Sequence, residues 1–125
     1  MIPAIDLRIG NWVNLPGQGL FEIKSGGDID MAATKGAEAI PLTEELLVSL
    51  GFTQLGKSST FEIHGKDFRY DLKMQHIAIC HPSNMLWHTL TTHIASLHQL
   101  QNIFYCIIGH DLKLPSVQSK SLAQS

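Results

Sequence analysis

The pattern of apolar and polar positions is sharpest in SLHQLQNIFYCIIGHDL, residues 96–112. Leu97, Leu100, Ile103, Phe104, Ile107 and Ile108 recur at i, i+3, i+6, i+7, i+10 and i+11, the stripe of a helix with one buried face. Ser96 with Gln99 three residues on makes a capping-box start, and Gly109 suits the left-handed turn that stops a helix. The spacing predicts a helix over 97–108. Its other face carries His98, Gln99, Gln101, Asn102 and Tyr105, all hydrogen-bonding and uncharged. Such a face reads first as ordinary wet surface, since Gln and Asn are adequate helix residues, and second as a surface that binds something.

PLTEELLVSLGF, 41–52, predicts a second helix near 43–50. Thr43 is its N-cap, Glu44 and Glu45 put negative charge on the positive end of the dipole, and Leu42 is placed to staple onto Leu47. Gly51 ends it, with Phe52 placed to fold back on Leu47. Two turns cannot stand without tertiary packing.

Elsewhere the period drops to two. In 7–15, Leu7, Ile9, Asn11 and Val13 alternate with Arg8, Gly10, Trp12 and Asn14, which predicts a strand with Gly10 as a bulge or point of close approach. Pro16-Gly17-Gln18-Gly19 turns the chain and 20–24 returns, an SH3-like hairpin. Residues 25–36 read as irregular or as one short strand at 29–32. From Thr60, Phe61, Ile63, Phe68, Tyr70 and Leu72 alternate with polar residues around the turn 64–67. Two more strands, 77–80 and 86–92, flank His81-Pro82-Ser83-Asn84. The expected fold is α+β: an antiparallel sheet of N-terminal hairpin plus four-stranded meander, with two packed helices. It forms one domain over 1–114, followed by a disordered tail at 115–125 that is nearly free of apolar residues.

Composition adds little chemistry. With 44% hydrophobic and only 16% charged residues, the chain has a sparsely charged surface with room for a face that oligomer contacts would bury, so a homo-oligomer, first of all a homodimer, is expected. The formal net charge of −2 speaks against electrostatically driven duplex binding, although a local basic cluster, and with it nucleic acid, stays compatible. Cys80 and Cys106 sit in the apolar contexts IAICH and FYCII and read as small hydrophobes. The N-terminal MIPAIDLRIG has no signal-peptide pattern, and no apolar run is long enough to span a bilayer. No membrane contact and a location in the cytoplasm of a bacterial host cell are expected.

Seven histidines invite a metal site, but the spacings of Cys80-His81, His88, His93 and His98 match no ligand pattern, so no metal or cofactor is expected. There is no G-x-S-x-G and no phosphate loop; Glu44-Glu45 are explained by capping and Asp28 with Asp30 by a loop. An enzyme is unsupported. Binding fits better. Arg8, Gly10 and Trp12 share one strand face, offering phosphate contacts, close backbone approach and a stacking plane. Trp87 is a second candidate ring, although both tryptophans also read as half-buried sheet residues. If that strand meets the polar face of the last helix, Arg8, Trp12, His98, Gln101, Asn102 and Tyr105 form one ligand-binding set suited to a nucleotide-like molecule.

Three stretches, LRIGNWV at 7–13, IPLTEELLVSLGF at 40–52 and LHQLQNIFYCIIGHDL at 97–112, carry a resemblance. They resemble a family of small uncharacterised proteins of phages, prophages and mobile elements of Bacteroidetes-like bacteria. Its members carry LRIGN(W/Y)V, IPLTEEWLLKFGF and VHQLQNLYFALTGEEL. The chain departs from them around Leu47, where the Trp-Leu-Leu run is missing, and at His110-Asp111, which replaces paired glutamates. The resemblance implies a phage or prophage origin and, by context, a non-enzymatic binding protein. A sponge that sequesters a nucleotide-derived immune signal, such as those of CBASS and Thoeris, is the leading expectation. The alternative is a nucleic-acid or protein-binding accessory module.

Overall fold

Seven strands, three α-helices and a short 3-10 turn make up the computed structural model, which describes residues 2–63, 67–80, 85–91, 93–109 and 111–113. After the 3-10 turn Ala4–Asp6 come β1 (Trp12–Leu15), β2 (Gly19–Glu22), α1 (Gly26–Thr34), α2 (Glu44–Ser49) and β3 (Phe52–Gln54). Then follow β4 (Thr60–Ile63), β5 (Phe68–Asp71), β6 (His76–Cys80), β7 (Trp87–Thr91) and α3 (Leu97–Ile108). The class is α+β with antiparallel sheets. The hairpin and the meander, expected in one sheet, are separate: β1-β2 and β3-β4-β5-β6-β7. The described residues fall into two compact units, one of the chain up to Pro41 together with Ser96–Leu112, the other of Leu42–Ala95 with Lys113.

In the first unit β1 and β2 pair from Trp12↔Glu22 to Leu15↔Gly19. Val13 and Leu15 are buried while Trp12 and Asn14 are half-buried, the alternation that period two demands. The regular strand is shorter than the expected 7–15 because Gly10 breaks it. Gly10 N–H donates to the Ile23 carbonyl at 2.8 Å and Ile23 N–H to the Asn11 carbonyl at 2.9 Å, so two residues face one. That is a bulge, and Gly10 takes the positive φ of 104° it needs. Leu7, Val13, Leu15 and Ile23 close a core with Ala32 of α1.

Residues 25–36 overturn the expectation of an irregular segment or strand, for they contain α1. Ser25 caps it, its side chain accepting from Asp28 N–H, and Asp28 in turn accepts from Lys24 N–H at 2.9 Å. A Ser-x-x-Asp start outweighs two glycines in the first turn, where few intrahelical bonds are at stake.

The last helix has the bounds and caps its sequence predicts. Gln99 Oε1 accepts from Ser96 N–H at 3.2 Å in a capping box, and Gly109 closes the helix at φ 95°. Its buried side differs from the expected stripe. Leu97, Leu100 and Phe104 are buried, but so are His98 and Gln101, while Ile103, Ile107 and Ile108 are only half-buried. The helix is turned toward its amides.

In the second unit Thr43 Oγ1 accepts from Leu46 N–H at 3.1 Å to start α2, and Gly51 ends it at φ 104°. Phe52 then opens β3, making the meander five-stranded instead of four. The registers Phe52↔Ile63↔Phe68↔Ile79 and Gln54↔Phe61↔Tyr70↔Ile77 line up one largely apolar sheet face. The other face carries Glu62, Arg69 and Asp71. Tyr70 is buried, its hydroxyl donating to the Ile94 carbonyl, and burial with Asp71 nearby pushes its pKa up to about 12. Cys80 is buried as expected, whereas Cys106 is exposed, since on α3 it falls outside the buried side. The turn residues 64–66 and 81–84 and the tail at 115–125 lie outside the described residues. Among the described residues no helix is long and apolar enough to cross a membrane.

Phe104, at 1% exposure, anchors α3. Replacing it by Ala is expected to lower stability by about 3–5 kcal/mol, read as a drop in denaturation midpoint. An unchanged midpoint would remove α3 from the core.

Candidate functional site

The bulge at Gly10 disturbs the hairpin ladder just before β1, and the backbone groups there need partners. The side chain of Gln101 supplies them. Its Oε1 accepts from Trp12 N–H at 3.0 Å and its Nε2 donates to the carbonyls of Gly10 at 3.0 Å and Leu112 at 2.8 Å. Asn11 Nδ2 adds a longer contact to Oε1 at 3.4 Å. Gln101 is fully buried, and all of its hydrogen-bonding capacity is used.

One residue on, Asn102 does the same for the approach to the bulge. Its Oδ1 accepts from Asn11 Nδ2 at 2.8 Å and from Arg8 Nε at 3.1 Å, and its Nδ2 donates to the Asp6 carbonyl at 3.1 Å. Arg8 completes the set. Its Nη1 meets Asp111 Oδ1 at 2.7 Å and the Ile9 carbonyl at 3.0 Å, its Nη2 meets the Gln101 carbonyl at 3.3 Å, and its Cζ lies 4.5 Å from the centre of the Tyr105 ring. Four hydrogen bonds thus engage a guanidinium that offers five N–H donors.

Gly10 is required for more than its φ. A Cβ there would stand 3.2 Å from Asp111 Oδ1, so only glycine lets the Asp111 carboxylate close on Arg8 without displacement. The pair is only partly shielded, with side-chain exposures of 28% for Arg8 and 27% for Asp111. Tyr105 is 43% exposed, leaving the cluster an open aromatic rim.

Of the expected ligand-binding set, Arg8, Gln101, Asn102 and Tyr105 meet. Trp12 enters the cluster through its backbone N–H and is itself half-buried. His98 is buried elsewhere on α3, its Nδ1 3.2 Å from Ser96 Oγ. Since Ser96 Oγ also donates to Gln99 Oε1 at 3.0 Å, Nδ1 carries the proton and donates to Ser96. Asn11 and Asp111 were not in the expected set. Asn11 was signalled by a polar side chain in phase with Leu7 and Val13, both buried, and a buried amide implies a partner. Asp111 had no signal of its own.

Trp87, the other candidate ring, lies under Arg69, whose Cζ is 3.8 Å from the ring centre while its Nε pairs with Glu62 at 3.0 Å. His88 and His93 are exposed, and among the described residues no three His, Cys, Asp or Glu side chains converge as metal ligands would. No protein-family model matches the chain, and no curated protein or solved structure is similar to it.

Gln101→Leu distinguishes a buried network from a wet surface. It adds apolar area yet is expected to destabilise by about 2–4 kcal/mol, because Trp12 N–H and two carbonyls lose their partner. A neutral or stabilising result in chemical denaturation would show that these groups reach water.

His98 gives a pH dependence. Burial lowers its pKa below the usual 6.5, with the Asp6 carboxylate opposing more weakly. The unfolded chain therefore binds the proton first as pH falls, so this contribution to stability is complete above about pH 6.5 and is lost below it. Melting temperatures taken from neutral to mildly acidic pH should fall for the native chain and fall less steeply for His98→Gln; parallel slopes would exclude His98.

Proposed function

We propose that the chain is a non-enzymatic binding protein for a nucleotide-derived signal, acting as a phage-encoded sponge against bacterial immunity. The observation that carries this reading is the Asp111 carboxylate at 2.7 Å from Arg8 Nη1, beside the partly exposed Tyr105 ring. A carboxylate on a guanidinium occupies the seat a ligand phosphate would take, and an aromatic rim beside it offers a plane for a base. Arg8 is already ordered by Asn102 and two carbonyls, so little side-chain entropy remains to be lost on binding. The ligand displaces Asp111 and leaves the other bonds of Arg8 in place. The resemblance to proteins of phages and mobile elements supplies the biological context.

Calorimetric titration with a cyclic dinucleotide and with ADP-ribose, against inorganic phosphate as control, tests the reading. One of the nucleotides is expected to bind, Asp111→Asn to tighten it severalfold by removing the internal competitor, and Tyr105→Ala to weaken it about tenfold. Full affinity in both Tyr105→Ala and Arg8→Lys, or no binding of either nucleotide, would overturn it.

A further inference from the structure

The five-stranded sheet has two edges, and they are not alike. β3 is three residues long and begins directly after Gly51, a short edge of the kind that resists further pairing. β7 is five residues long and has a strand neighbour on one side among the described residues. The stretch 85–91, MLWHTLT, contains no Asp, Glu, Lys, Arg or Pro, so the charges and prolines that blunt many edges are missing from its sequence. Its register against β6 slips once, between Ile77 and Ala78, where Leu90 is the extra residue. Met85, Leu86 and Leu90 are 70%, 57% and 47% exposed, large apolar side chains gathered on one strand and its lead-in.

We propose that β7 is a docking edge for a second copy of this chain, joined antiparallel about a two-fold axis to continue the sheet from one protomer into the other. Three features select a second copy. The strand is uncharged, so setting it against itself opposes no like charges, and it offers a charged partner nothing to pair with. An antiparallel strand pair is isologous, the arrangement a two-fold dimer requires. A register centred on His88 sets Leu86 of one copy opposite Leu90 of the other, twice, so the exposed leucines cover one another. The edge belongs to the second unit, and the inference does not depend on the ligand reading, which concerns the first.

Sedimentation equilibrium of the full chain at micromolar concentrations is the test. The native chain is expected at twice the mass of the 13.8 kDa protomer. Leu90→Lys, which sets a charge against Leu86 of the other copy in place of an apolar contact, and Thr89→Pro, which removes a strand N–H, should each sediment as monomers. Leu90→Lys should keep the native circular dichroism and melting profile at the lowest concentrations, showing that assembly and not folding was lost. A monomeric native chain, or a Leu90→Lys variant that stays dimeric, would overturn the proposal.

Discussion

The side chain of Gln101 is the contact on which the first unit depends. It joins the last helix to a backbone segment about ninety residues earlier, and its bonds to Trp12, Gly10 and Leu112 serve main-chain groups that no strand or helix ladder satisfies. The need begins with Gly10. A bulge turns the chain so that Arg8 and Asn11 reach the helix, at the cost of leaving the local ladder incomplete, and the amides of Gln101 and Asn102 fill the gap. Removing either side of this arrangement would leave the other buried with unmet polar groups, so the bulge and the amide pair are one feature.

The connectivity shows why so distant a contact is feasible. The second unit is an insertion, leaving after Pro41 and returning at Ser96, and the two ends of the gap are tied together. Leu97 N–H donates to the Ile40 carbonyl at 2.8 Å, and Pro41 and Ser96 form a bridge. Within the inserted unit, Leu42 N–H donates to the Ala95 carbonyl at 3.1 Å. With both ends fixed, the length between them matters little, since doubling a loop adds only about 0.6 kcal/mol of closure entropy. To the first unit the insertion is a short connection.

What was legible in the sequence followed from local chemistry. The capping box at Ser96, the stop at Gly109, the Thr43 cap and the period-two runs of β4 to β6 are written in neighbouring residues, and each element stands where they place it. α1 was missed because Gly26-Gly27 suggested a loop more loudly than Ser25 with Asp28 suggested a cap. β3 was missed because three residues after a helix stop carry no period. The face of α3 misled for a deeper reason. Hydrophobic periodicity treats polar as outward, and that rule fails when an amide has all its bonds met inside the protein. The neighbourhood of Arg8, Gln101, Asn102 and Tyr105 could be anticipated from matching chemistry, whereas the part taken by Asp111 required three dimensions.

An apolar residue at position 101 would not serve the same end, even if it packed well. Leu97, Leu100 and Phe104 give α3 adhesion, but side chains of similar size could make comparable contacts after the helix slid by one turn, about 5.4 Å. Hydrogen bonds tolerate only a few tenths of an ångström, so an amide whose oxygen must meet Trp12 N–H and whose nitrogen must meet two carbonyls fixes both the axial position and the rotation of the helix. Asn102 and Tyr105, one and four residues on, then meet Arg8 from fixed points. The polar cluster thus contributes less to the amount of stability than to its direction. It selects one seating of α3 among those its apolar side would accept, and that seating holds the guanidinium in place.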